Sequence, residues 1–120
     1  MAIETKYSLQ QFQSGVLDSS GSLSVTFKNP GPNQRWIIRR ISINVATGKM
    51  TTCTVYRGPL SANQQLDFTR KGNGDTSETE IILYPSEFIT VAWTGGAVGA
   101  IASCRIEGDI MVSGNRSYGV

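Results

Sequence analysis

The run 88-FITVAWTGGAVGAIASC-104 has no charged residue between Glu87 and Arg105 and holds three glycines. It admits three readings: a membrane span, a phosphate-cradling loop, or two strands joined by a turn. A membrane helix needs about 20 predominantly apolar residues. This stretch is shorter, is interrupted by Thr90, Thr94 and the glycines, and is rich in β-branched side chains. A phosphate loop needs G-x-x-x-x-G-K-[ST] at the opening of a helix, so that backbone amides and a lysine meet the phosphates together. Here Gly99 is followed by AIAS, with no lysine nearby. A β-hairpin with TGGAVGA at its turn is what remains.

The segments around it alternate with period two, the mark of half-buried strands. In 104-CRIEGDIMV-112, Cys104, Ile106, Ile110 and Val112 point one way, and Arg105, Glu107, Asp109 and Met111 the other. In 23-LSVTFK-28, Leu23, Val25 and Phe27 share a face. NPGPNQ stops that strand, because its prolines remove ladder donors. Cys53 and Val55 pair off inward in 51-TTCTVYR-57, as do Leu66 and Phe68 in 64-QQLDFT-69. ATGKM, GPLSAN and RKGNGDTS read as turns or loops, and 79-TEIILY-84 and 87-EFITVAW-93 as strands split at Pro85. The segment 35-RWIIRRISINVA-46 breaks the pattern, because strict alternation puts Arg39 on the face of Ile37, Ile41, Ile43 and Val45. Either a bulge near Ile38 shifts the register, or Arg39 sits at a rim with its stem packed and its head in water. The rim is the expectation.

Seven or eight short strands in 120 residues imply one all-β domain, an antiparallel β-sandwich of jelly-roll connection over residues 23–113. Residues 1–22 are polar, end in LDSSGS and read as an extended N-terminal arm, with 114–120 a short tail. The arm lacks alternation yet carries Tyr7, Leu9, Phe12 and Leu17, which are candidate anchors on a neighbouring subunit. On that reading, deleting residues 1–17 removes binding and leaves the fold intact.

Net charge is +2 with acids and bases interspersed, too sparse for a protein that neutralises a run of phosphates, so no nucleic-acid partner is expected. The N-terminus, MAIETKYSLQQF, lacks the apolar stretch of a secretory signal, which makes cytoplasmic folding the expectation. Cys53 and Cys104 are then free thiols, although in a secreted chain they could pair across facing strands.

The sequence has no histidine, the commonest general base and metal ligand, and so neither cysteine has the usual activating partner. Glu78 with Glu80 and Glu107 with Asp109 stand two apart on a strand face, near the separation that glycosidases use. Because Arg105 shares the second face, a solvated or subunit-facing charge ladder is the better reading. NGDTSETE offers oxygens for calcium but not the EF-hand spacing. No enzyme activity, metal or cofactor is expected. Arg39, Arg40, Glu107 and Asp109 are kept as candidate interface charges. Trp36, Tyr56, Tyr84 and Trp93 would form a sugar-stacking platform only if exposed together, and packing in the core or at a rim is the commoner fate.

Taken together, 36-WIIRRISINV-45, 53-CTVYRGPL-60 and 81-IILYPSEFITVAWTGGAVGAIASCRIEGDIMV-112 resemble small virion proteins of tailed bacteriophages, especially actinobacterial ones. The resemblance implies a virion structural protein made in the host cytoplasm: a capsid decoration (cement) protein on the major capsid protein, or else a minor tail protein; a carbohydrate-binding receptor-recognition module is the further alternative. A decoration protein is expected to form a homo-oligomer, trimer or pentamer, and because the uncharged run does not make a membrane span, no membrane partner is expected.

Overall fold

In the computed structural model, residues 2–28, 31–46, 51–58, 65–69 and 74–115 are described. Eight strands follow one another: β1 (Ala2–Val16), β2 (Leu23–Lys28), β3 (Gln34–Val45), β4 (Thr52–Arg57), β5 (Gln65–Thr69), β6 (Gly74–Leu83), β7 (Phe88–Thr94) and β8 (Ile101–Asn115). They form two four-stranded sheets, in the orders β1-β8-β3-β6 and β2-β7-β4-β5. Antiparallel ladders join β1 to β8, β2 to β7, β3 to β6 and β4 to β5, so the chain is one long hairpin rolled over itself. This is the expected jelly-roll β-sandwich.

Strand alternation supplies the core. From the first sheet come Trp36, Ile38, Ile41, Ile43, Ile81, Leu83, Cys104 and Ile106; from the second come Phe27, Cys53, Val55, Ile89, Val91 and Trp93, all buried. Within the sheets the cross-strand neighbours are apolar pairs such as Val25 with Val91, Phe27 with Ile89 and Ile41 with Ile106.

Three expectations change. First, residues 2–16 are extended, but as β1 of the first sheet rather than as an arm outside the domain, paired with β8 from Ala2↔Asn115 to Val16↔Ile101. Second, the glycine run does not close a hairpin. β7 and β8 lie in different sheets, and 95–100 carries the chain across the sandwich. There it meets the other crossover: Gly96 N–H donates to Gly21 O at 3.0 Å and Leu17 N–H to Ala100 O at 2.9 Å. Gly21, at φ 74°, takes the left-handed conformation that brings its carbonyl to Gly96. Third, β3 bulges. Ile38 faces Gly108 and Arg40 faces Glu107, leaving Arg39 as the extra residue. The slip turns Trp36 and Ile38 inward with Ile41, leaves Ile37 only half-buried, and exposes Arg39 and Arg40 together. The expected turn at ATGKM and loop at GPLSAN, the inward Leu66 and Phe68, and residues 116–120 of the tail lie mostly outside the described residues or side chains.

Candidate functional site

The outer face of the first sheet gathers most of the residues that the sequence marked. Because Ala102, Cys104 and Ile106 point into the core, Ile101, Ser103, Arg105, Glu107 and Asp109 point out, and the β1 and β3 residues opposite them do the same. Phe12, Arg39, Arg40, Glu107 and Asp109 therefore share this face. Leu9 and Leu17 do not: each is 1% exposed, packed in the core, and neither can anchor a neighbour. Tyr7 is exposed, but it shares a face with Ile110 on the other side of β1.

The bulge makes the centre of the face a charge cluster. Arg39 Nε donates to Asp109 Oδ2 at 2.9 Å. Arg40 donates through Nε and a terminal nitrogen to both Glu78 oxygens, at 3.0 and 3.2 Å, and its other terminal nitrogen lies 3.8 Å from Glu107. The bidentate bond and charge of Arg40 hold the Glu78 carboxyl below its ordinary value, and Glu78, then Glu107, raise the guanidinium. Glu4 and Arg35 pair across β8 at one end. Of the acids in the possible catalytic pairs, Glu78, Glu107 and Asp109 are thus partnered by arginine, as in the charge ladder that the sequence suggested.

The opposite end of the face is apolar. Val16 and Ile101 stand directly across from each other, each 58% exposed. Phe12 stands across from Arg105 and is exposed to the same degree. Arg105 lines a shallow hollow of about 270 Å³ with Phe12, Ser42, Ser103 and Glu107. Among the described residues it has no ion pair within 4.0 Å. Sequence reasoning missed Val16 and Ile101, because one lay in the supposed arm and the other in an apolar run that looked like core.

Among the described residues, no group of three His, Cys, Asp or Glu side chains is placed to hold a metal. Of the suggested calcium loop, Glu78 is engaged by Arg40, and the Asp75 side chain lies outside the description. Trp36 and Trp93 are core residues at 2% and 0% exposure, Tyr56 is half-buried, and only Tyr84 is well exposed, so the four aromatic residues do not make a platform. Both cysteines are buried and not joined in a disulfide, and burial pushes the Cys104 thiol up to about 12.

No protein-family model matches the chain, and no curated protein matches it. Among solved structures it is similar to a protein of the Bacillus endospore appendages, which form disulfide-linked pili: 7% identity, TM-score 0.52, covering 94% of this chain and 90% of that one. It is also similar to the Drosophila NLP core, described for pentamer formation and histone binding, at 16% identity and TM-score 0.39, covering 83% of this chain and 97% of that one. A chain of infectious bursal disease virus, Gx strain, matches at 10% identity and TM-score 0.38, covering 96% of this chain and 33% of that one. The first match shows a shared all-β fold; the other two are too distant to add to it.

Proposed function

We propose that this chain is a non-enzymatic structural subunit of a bacteriophage virion, a capsid decoration (cement) protein that docks the outer face of its first sheet onto the major capsid protein. The observation that carries the reading is the cross-strand group Phe12, Val16 and Ile101, with Arg105 unpaired among the described residues beside it. An apolar cluster exposed next to a rim of charge is the usual composition of a protein-binding patch. The ion-paired centre of the face supplies polar register without exposing much bare charge. A cement protein acts by mass action: contacts made only with the assembled lattice stabilise that lattice. A specific contact needs roughly 1,000 Å² or more of total buried area, which a sheet face of this length can supply. The resemblance of the three quoted segments to phage virion proteins supports the same reading, and the pilus-forming neighbour is an instance of this fold in an assembly.

The test is cosedimentation of the purified chain with phage heads that lack it, followed by electron microscopy of the particles. Saturable binding to heads is expected. Ile101→Asp and Arg105→Glu should each weaken it roughly tenfold while leaving the melting temperature unchanged, because both side chains are exposed. Binding to tails or cell walls instead of heads, or wild-type binding by both variants, would overturn the proposal.

A further inference from the structure

The free side of β1 is an unguarded sheet edge. In the order β1-β8-β3-β6, β1 is bonded, among the described residues, only to β8, and over 15 residues it is much longer than the edge strands of the second sheet, β2 with 6 and β5 with 5. Natural edges are blunted by shortness, proline, bulges or repeated charge, because an open row of N–H and C=O groups is a template for another strand. β1 has no proline, an unbroken register with β8, and only Glu4 and Lys6 as charges. Exposed apolar side chains concentrate on it as well: Tyr7, Phe12 and Val16 are each more than half exposed.

The direction of the open groups follows from the ladder. Leu17 N–H bonds to Ala100 O, continuing the β1–β8 register, so the odd-numbered residues of β1 turn their backbone groups toward β8. The even-numbered residues turn theirs outward, and among the described residues nothing bonds to them.

We propose that β1 pairs with β1 of a second copy, antiparallel and centred on Leu9, fusing the two first sheets into one across a two-fold axis. A centre at Leu9 lets all of Ala2–Val16 overlap, since the strand is symmetric in length about that residue. A strand pairing with its own copy about a two-fold axis is the simplest closed, self-complementary contact. The pairing also suits the charges. Lys6 of one copy faces Phe12 of the other, a cation over an aromatic ring, and Glu4 faces Ser14, so no like charges meet. Tyr7 faces Gln11 on the opposite side of the strand. The contact gives a two-fold pair where a trimer or pentamer was the expectation, and it goes beyond the shell-binding proposal, since its ladder is made by the backbone edge of the sheet, although Phe12 and Val16 of the docking group also face the second copy.

The test is the mass of the full chain by sedimentation over a range of concentrations, for the wild type and three variants. The wild type should be a dimer. Gln10→Pro deletes an outward N–H that the monomer does not use, and should weaken the dimer roughly tenfold or more with the fold retained. Ser14→Lys, placed opposite Glu4, should tighten the dimer several-fold, and Ser14→Glu should loosen it by a similar factor. These two variants keep the test decisive if Gln10→Pro fails to fold. A monomer at every concentration, a trimer, pentamer or open filament, or equal effects of Ser14→Lys and Ser14→Glu would overturn the proposal. None of these outcomes bears on head binding, which Ile101→Asp and Arg105→Glu test separately.

Discussion

Gly108 lies against the carbonyl of Ile37 so closely that a Cβ added to it would sit 1.9 Å from that oxygen and 3.0 Å from the Arg39 amide nitrogen. The β3 bulge drives its backbone into β8 at this point, and glycine is the residue that leaves room for it. The same slip delivers Arg39 and Arg40 to the outer face and Ile38 to the core. One missing methyl group thus sets both the packing on one side of the sheet and the charge cluster on the other.

Gly108→Ala should therefore be costly. The blocking atoms are backbone, which cannot rotate away, so a loss of about 2–3 kcal/mol is expected, read as a clear drop in urea midpoint or melting temperature. Arg39→Ala, at an exposed pair, should cost less than about 1 kcal/mol. Similar small effects from both would mean that the bulge does not depend on Gly108.

The thiols give a second check. Cys53 and Cys104 are each 1% exposed, and burial holds Cys104 as the neutral thiol at about 12, far above its usual range. A disulfide-exchange reagent at pH 8 should titrate neither cysteine in the native protein and both in denaturant. Fast native labelling would show that the sandwich opens along β4 or β8.

Asp18 organises the β1–β2 crossover. Its Oδ1 accepts from the Ser20 hydroxyl at 2.7 Å, the Ser20 amide at 2.9 Å and the Ser22 amide at 3.1 Å. These bonds, the hydroxyl first, lower its pKa from the ordinary 3.8. Since the folded value is the lower one, the stability it lends is present above 3.8 and is lost as pH falls through the folded value. Asp18→Asn should lower the melting temperature at neutral pH, and its difference from wild type should shrink in acid. A difference that is constant with pH would contradict the carboxylate's role.

The parts of the fold that were legible in the sequence are those where side-chain burial follows strict alternation. Leu23, Val25 and Phe27, and Cys104 and Ile106, face the core as their spacing predicts. Arg39 was misplaced because a bulge breaks parity without any glycine or proline on its own strand; the signal lay on the neighbouring strand, at Gly108. The glycine run reads as a turn from local chemistry, but which sheet receives the next strand depends on distant partners. The charges of the candidate site were visible as outward residues of β8, whereas their pairing with Arg39 and Arg40 needed the register between strands.

β1 was the least legible element, and the reason yields the last prediction. Its inward positions include Gln11, Gln13 and Gly15, so it shows no apolar alternation; it is held by backbone bonds to β8 and by two core side chains, Leu9 and Leu17. Leu17 further binds the β7–β8 crossover through Ala100 O at 2.9 Å and Gly99 N–H at 3.0 Å. Deleting residues 1–17, which an arm would tolerate, should instead leave β8 without a partner on one side and unfold the domain. Leu9→Ala should cost about 3 kcal/mol through the cavity it opens, whereas Tyr7→Ala, at an exposed position, should change monomer stability by less than about 0.5 kcal/mol. Chemical denaturation of the two variants, under conditions where both are monomeric, separates a core strand from a loose arm: equal stability for Leu9→Ala and wild type would return β1 to the role of an arm.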